Sequence, residues 1–169
     1  GSFDATLLGS AFHRCAQFAV ETGCIPDQAR RVTIGHTYGL SEEQLLRLDA
    51  ACQAYFASEV YAQTQQFDNR QAEVPFYVPV GHGDNQGFLE GEIDALCYND
   101  ARGEAFVVDY KTGGSPAESA SQLHQKHLLQ ASCYAYALLH SGFQRVRLAF
   151  VRVEQRDEVG MPQVVHYEF

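Results

Sequence analysis

An acid and a lysine stand two residues apart in the segment VVDYKTGG, residues 107–114. Side chains alternate across a β-strand, so Asp109 and Lys111 point to the same face. Val108 and Tyr110 point to the opposite face. A carboxylate beside a lysine is typical of a catalytic pair, but an ordinary ion pair has the same spacing. The choice depends on whether a second acid lies near Asp109.

A hairpin predicted from the turn sequence DARG supplies that second acid. Asp100 and Gly103 are preferred residues at the first and fourth positions of a type I turn. A turn centred on the two residues between them gives the flanking strands a coherent apolar face. The facing residues on it are Ile93 with Tyr110, Ala95 with Val108, and Cys97 with Phe106.

The same register places charged residues together on the other face. Asp94 lies opposite Asp109, and Glu92 lies opposite Lys111. Like charges on directly opposed residues are destabilising, so something must offset the repulsion. A hard divalent cation such as Mg²⁺ or Mn²⁺ takes carboxylate oxygens as ligands and keeps bound waters. The register therefore predicts a metal between the two aspartates, able to polarise a phosphate and activate water, with Lys111 stabilising the charge that develops.

Two alternatives remain open at this point. A type I turn with a glycine bulge would shift the pairing by one residue and place Asp94 opposite Tyr110. The second alternative keeps the register but has no metal: the strands carry a solvated acidic edge, and Lys111 and Glu92 form an ordinary ion pair.

The elements that must position these residues follow from periodicity and boundary signals. Apolar residues at helical spacing predict one helix that ends before Gly23 and a second that begins at Ser41, whose SEEQ has the spacing of a capping box. Turn residues then divide a strand-like region. The predicted elements are helices over 5–22, 41–66 and 115–142, and strands over 72–80, 88–98, 105–113, 146–155 and 163–169.

This order, α-α-β-β-β-α-β-β, predicts an α/β (α+β) fold with one mixed sheet and helices packed on it. A helix connects the third strand to the fourth, so that pair is expected to be parallel. The 169 residues, 46% of them hydrophobic, are expected to form a single domain. Gly1 and Ser2 are consistent with a fragment cut from a longer protein.

Composition excludes several classes of protein. A net charge of −9 argues against a free-standing nucleic-acid binder, because phosphate contacts need clustered basic residues. The five cysteines show no CxxC spacing, which argues against zinc, an iron–sulfur cluster or a disulfide framework. No membrane span or signal peptide is visible, so a cytoplasmic location is expected.

Four motifs resemble the PD-(D/E)XK nuclease superfamily, and specifically the RecB-type nuclease domain at the C-terminus of AddA and RecB helicase–nucleases. GEIDALCY is similar to that family's G-x-[IV]-D strand, and VVDYKTG resembles its [VI]-[VI]-D-[YF]-K-T-G segment. QASCY matches the Q-x-x-x-Y helix motif, and GSAFH resembles the G-x-x-x-H helix. The motifs occur in the expected order over residues 9–134.

The resemblance implies a restriction-endonuclease-like fold and a role for each matching residue. It implies metal ligation by His13, Asp94, Asp109 and the carbonyl of Tyr110, catalysis by Asp94, Asp109 and Lys111, and positions beside the DNA strand for Gln130 and Tyr134. Glu73 resembles an acid often found on the family's first strand, and Glu73 and Glu92 are expected either just outside the ligands or as solvated acids.

Each residue also has an ordinary interpretation when it is taken alone. His13 would be a packed or surface histidine, and Gln130 and Tyr134 would be ordinary helix residues. The i,i+3 pair His124 and His127 has a spacing that suits a metal, but solvent-facing or DNA-facing roles are favoured for it.

The predicted function is hydrolysis of DNA phosphodiester bonds by a nuclease dependent on Mg²⁺ or Mn²⁺. The expected setting is an AddA-like helicase–nuclease at DNA ends, with exonuclease action, a helicase domain in the same chain and a second subunit. Some RecB-type relatives hold an iron–sulfur cluster with four cysteines, and the absence of such a quartet favours the AddA or RecB side. The alternatives are a stand-alone nuclease of the same fold and a non-cleaving DNA-binding or architectural module.

Overall fold

The computed structural model describes the backbone of residues 2–169 and the side chains of residues 7–169. Four helices precede the sheet, where the sequence predicted two. The sequence did not predict the helix over Gln28–Thr37. Asp27 caps the start of this helix, where the Asp27 carboxylate accepts the Arg30 amide N–H at 2.8 Å. The helices are α1 (Ser2–Thr22), α2 (Gln28–Thr37), α3 (Glu42–Phe56), α4 (Glu59–Thr64) and, later in the chain, α5 (Ala120–His140).

The predicted continuous helix over residues 41–66 is wrong, because the helical conformation is interrupted between α3 and α4. Ser58 accepts the amide N–H of Tyr61 through its hydroxyl and so starts a new helix. The predicted start at Ser41 is confirmed, and its hydroxyl forms a capping box with Gln44.

One five-stranded mixed sheet follows these helices, as predicted. Its strands lie in sequence order; β3 and β4 are parallel, and the other neighbouring pairs are antiparallel. Helix α5 connects the parallel pair, as such a crossover requires. The strands are β1 (Asn69–Val80), β2 (Gly87–Tyr98), β3 (Glu104–Lys111), β4 (Arg145–Arg156) and β5 (Pro162–Glu168).

The predicted register of the β2–β3 hairpin is confirmed where the two strands pair. Ala95 faces Val108 and Cys97 faces Phe106. The turn itself differs from the prediction, because the amide of Arg102 donates to the carbonyl of Asn99 at 2.9 Å and Arg102 adopts a left-handed φ of 50°. The turn thus begins one residue earlier than predicted, although the strands keep their alignment.

Two apolar layers hold the sheet between helices. One layer joins α1 and α3 to the sheet, and Phe12, Tyr55 and Tyr110 contact each other edge to face within it. The other layer joins α5 to the opposite side, with Tyr134 and Phe150 among its buried residues. The central strands β3 and β4 are buried on both faces of the sheet. The residues at the ends of these strands are therefore held in defined positions.

Within residues 2–169, no helix has both the length and the apolar content needed to cross a membrane.

Candidate active site

Helix α1 brings His13 to the end of strand β3. One turn before His13, Gly9 faces Thr112, and a Cβ added to Gly9 would lie 3.1 Å from the Thr112 hydroxyl oxygen. The absence of a side chain therefore lets the helix approach the strand closely. The Nε2 atom of His13 lies 3.4 Å from the carbonyl oxygen of Tyr110.

His13, Glu73 and Asp94 form the first of two polar groups, here called the α1 cluster. The Nδ1 atom of His13 lies 3.6 Å from Asp94 Oδ1 and 3.9 Å from Glu73 Oε1. One ligand atom from each residue lies within 4.8 Å of the others. An imidazole nitrogen and two carboxylate oxygens at this spacing are able to share one metal ion.

Burial and mutual repulsion perturb both carboxyl groups of the α1 cluster. Burial, and then the charge of Asp109, raise the pKa of Asp94 to about 6, although His13 and two other groups act in the opposite direction. Burial raises the pKa of Glu73 to about 8, helped by a hydrogen bond with Glu92 and by the charge of Asp94. Negative charge at this point is therefore unfavourable until a cation offsets it.

Glu73 enters the α1 cluster through an unusual backbone conformation in β1. Its φ of 52° lies in the left-handed region, which residues other than glycine rarely adopt. The neighbouring residues Ala72 and Val74 pair with Ala95 and Ile93, so Glu73 lies across from Asp94. The sequence predicted Glu73 only as an acid beside the ligands. No sequence signal indicates the left-handed backbone at Glu73, so strand patterns alone do not place it in the α1 cluster.

Strands β2 and β3 separate where the two aspartates lie. The backbone pairing ends at Ala95 and Val108. Beyond it, Asp94 Oδ2 accepts the amide N–H of Tyr110 at 2.9 Å, so a carboxylate replaces a strand carbonyl. The prediction that Ile93 shares an apolar face with Tyr110 is wrong, because Ile93 packs with the α5 layer and Tyr110 with the α1 layer.

Asp109, Lys111, Gln130 and Tyr134 form the second polar group, the α5 cluster. Lys111 Nζ lies 3.0 Å from Asp109 Oδ1 and donates to Gln130 Oε1 at 2.8 Å. The Gln130 amide nitrogen donates to the Tyr134 hydroxyl at 2.8 Å, and that hydroxyl lies 3.1 Å from Asp109 Oδ2. Gln130 and Tyr134 are one helical turn apart, which puts both on the face of α5 that meets the sheet.

Asp109 keeps an oxygen that no hydrogen bond satisfies. The residue is 2% exposed, and among the described residues its Oδ1 accepts no hydrogen bond, although the lysine nitrogen is close enough for an ion pair. Buried polar atoms are nearly always hydrogen-bonded or bound to an ion, so this oxygen has capacity for a ligand. Together with the α1 cluster, it fits a hard divalent cation.

Lys111 does not contact the acid that the sequence placed opposite it. Among the described residues it contacts Asp109, Gln130 and the ring of Phe150, whose centroid is 5.5 Å from Nζ. Glu92 is exposed and instead lies near Glu73, whose pKa it helps to raise. The predicted Lys111–Glu92 pair is therefore wrong, and the lysine stays with the aspartate of its own strand.

His127 is buried, which contradicts the predicted solvent-facing or DNA-facing role. Its ring stacks on Phe150 at 5.3 Å, and burial lowers its pKa. His124, in contrast, is exposed and packs on Tyr167 at 4.6 Å.

Strand β4 fixes the loop that follows Lys111, which the sequence did not reveal. Glu154 accepts the Gly113 amide N–H at 2.8 Å, and the buried Arg152 donates to the Ser115 carbonyl at 2.9 Å. Gly113 and Gly114 both have left-handed φ values, and a Cβ on Gly114 would collide with the Arg152 guanidinium.

Comparison with known proteins gives one family. The model of the PD-(D/E)XK nuclease superfamily matches residues 1–168. No curated protein sequence matches the chain. A solved structure described as "Crystal structure of SSO0001" is 17% identical, with a TM-score of 0.37, and the match covers 93% of this chain and 61% of that one. The chain thus spans less than two thirds of that protein.

Proposed function

Because this chain belongs to the PD-(D/E)XK nuclease superfamily, we propose that it is a metal-dependent nuclease that hydrolyses phosphodiester bonds in DNA. The observation that carries the proposal is the opening between β2 and β3. There, two buried aspartates lie beside a histidine, a glutamate and a lysine. Asp109 Oδ1 contacts Lys111 at 3.0 Å without accepting a hydrogen bond from any residue that the structure describes, which leaves this buried oxygen able to bind a metal as well.

The two clusters suggest how a metal would be held. His13, Asp94 and Asp109 are the proposed ligands, with the Tyr110 carbonyl as a further one and Glu73 close enough to join them. Such an ion would polarise the phosphate and lower the pKa of bound water. Mg²⁺ and Mn²⁺ suit this donor set because both prefer oxygen ligands.

Lys111 is proposed to stabilise negative charge that develops as the phosphate is attacked. Gln130 and the face of Phe150 hold its ammonium group in place, so little reorganisation is needed during the reaction. Tyr134 and Gln130 in turn orient Asp109. Burial raises the pKa of Tyr134 well above its ordinary value, so the hydroxyl remains protonated and donates a hydrogen bond.

The finer part of the proposal is an AddA- or RecB-like helicase–nuclease setting. Its support is the order of the four motifs and the absence of a cysteine quartet in the sequence. In that setting the chain would be a single nuclease domain of a larger cytoplasmic protein. It would act as an exonuclease in DNA end processing and recombinational repair, alongside a helicase domain and a second subunit, without an iron–sulfur cluster.

Digestion of end-labelled linear DNA and of circular DNA tests the proposal. We expect cleavage with Mg²⁺ or Mn²⁺, none with a chelator, and little with Ca²⁺, whose looser coordination positions water poorly. Release of label from linear DNA with intact circles would support exonuclease action. The matched control is Lys111→Met, which removes the ammonium group but keeps an unbranched apolar chain.

Failure of the wild-type chain to cleave either DNA under all these conditions would contradict the nuclease proposal. DNA binding without cleavage would favour the non-cleaving module instead.

A further inference from the structure

Two aromatic rings stack on each other at the surface of the β1–β2 hairpin. The centroids of Tyr77 and Phe88 are 4.7 Å apart and their planes differ by 11°. Both side chains remain largely exposed, at 62% and 59%. A cross-strand aromatic pair stabilises a hairpin. That stabilisation does not explain why most of the surface of both rings remains exposed to water.

The stacked pair lies on the sheet face that leads to the candidate active site. Side chains alternate, so Phe76 packs against Tyr134 under α5 while Tyr77 points away from α5. Along β1, Tyr77 is four residues from Glu73, or about 13 Å at 3.3 Å per residue. That distance is about four base steps at the 3.4 Å spacing of one stacked strand.

Acidic residues occupy the surface between the rings and the active site. Glu90 pairs with Tyr77, and Glu92 shares the β2 face of Glu90 and Phe88. Both glutamates are exposed, and the chain has a net charge of −9. This surface therefore repels phosphates. A duplex, which presents phosphates on its outside, is disfavoured here, whereas a single strand is free to turn its bases toward the protein.

On the basis of the nuclease function proposed above, we propose that Tyr77 and Phe88 form a stacking platform for unpaired bases of the DNA strand that enters the active site. The outer faces of the rings extend the stack that the two side chains already form, and base stacking on aromatic rings is independent of sequence. The substrate class is therefore single-stranded DNA, or a duplex with an unpaired end. The platform holds the bases while Lys111 and the two clusters act on the backbone.

Binding of oligothymidylate tests this assignment. Affinity is measured by fluorescence anisotropy in Ca²⁺ for the wild type and for the double variant Tyr77→Ala/Phe88→Ala, on the normal strand and on one with abasic sites in place of bases. Wild type should bind the normal strand roughly 5- to 100-fold more tightly than the abasic strand. The double variant should lose most of that preference.

Three further variants separate stacking from hairpin stability. Tyr77→Phe keeps both rings and should bind as the wild type does. Tyr77→Leu/Phe88→Leu keeps apolar contact across the strands but should behave as the alanine variant does. Val159→Ala removes an apolar side chain that is even more exposed, at 81%, in the loop between β4 and β5, and should change nothing. Thermal unfolding of each variant checks that it folds, and binding is compared among folded variants.

Equal affinity of the wild type for normal and abasic strands would overturn the platform, as would unaltered preference in the leucine variant. Either result is also expected if the rings serve to bind another protein. The platform and the nuclease proposal fail separately. A wild-type chain that shows the base preference but never cleaves DNA refutes only the nuclease, and one that cleaves without the preference refutes only the platform.

Discussion

The two polar clusters stand on opposite sides of one opening in the sheet, yet they balance charge differently. The α1 cluster places Glu73 beside Asp94 with His13 as its basic member, and the pKa values of both carboxyl groups are raised, mainly by burial. In the α5 cluster, Lys111 neutralises Asp109; Gln130 contacts both of these groups, and Tyr134 contacts Asp109. The first arrangement suits capture of a cation, and the second suits stabilisation of negative charge on a substrate.

The largest effect should come from Asp109, because it pairs with Lys111 in the α5 cluster and its charge also raises the pKa of Asp94 in the α1 cluster. Asp109→Asn keeps the shape of the side chain but removes a charged ligand and the partner of Lys111. We expect cleavage to fall below detection and metal affinity, measured by calorimetry, to fall sharply. Circular dichroism should show an unchanged fold. Metal affinity equal to that of the wild type would remove Asp109 from the ligand set.

Lys111 should affect the chemical step more than it affects binding. At saturating DNA and metal, Lys111→Met should lower kcat by roughly 10²- to 10³-fold, since its charge acts on the transition state. Lys111→Arg should not restore the rate, because a planar guanidinium does not fit the place of a compact ammonium. Glu92→Gln is the matched control and should be nearly silent. Near-normal turnover in Lys111→Met would rule out a catalytic lysine.

Changes in the α1 cluster should alter the metal rather than the chemistry. His13→Ala and Glu73→Gln should each weaken Mn²⁺ binding by roughly 10- to 100-fold, the range seen when groups around a metal are removed. Excess Mn²⁺ should then recover much of the cleavage rate. A rate that stays low at saturating Mn²⁺ would instead assign these residues to the chemical step.

The smallest expected effect is on stability without metal. The pKa of Glu73 is raised to about 8 in the folded chain, against 4.5 as its ordinary value. Folding therefore favours the neutral carboxyl group, and the wild type should lose stability as pH rises from about 4.5 to 8. Glu73→Gln lacks this penalty and should unfold roughly 2–4 °C higher than the wild type at pH 8.

The gain in Glu73→Gln should nearly vanish at pH 4.5, where the wild-type carboxyl group is also neutral. The exposed Glu158→Gln serves as control and should show no such pH dependence. A gain of equal size at both pH values would mean that charge in the α1 cluster is not its cause.

Local geometry alone determined a large part of the site. Strand alternation put Asp109 and Lys111 on one face, and the turn sequence gave the register that aligns Ala95 with Val108. The strand order and the parallel β3–β4 pair also followed from the sequence pattern. These features depend on residues close in the chain, or on a crossover whose geometry is fixed, so a short segment contains the necessary information.

Only the tertiary structure decided which groups meet at the opening. Glu73 reaches the α1 cluster because its own backbone adopts a left-handed conformation within β1. Ile93 packs under α5 because the pairing of β2 with β3 ends at Ala95, and Asp94 then accepts the Tyr110 amide through its side chain. Lys111 takes Asp109 and Gln130 as partners because burial on Phe150 holds it under α5. Such contacts join segments distant in sequence, and desolvation and packing select among partners that the sequence pattern leaves equivalent.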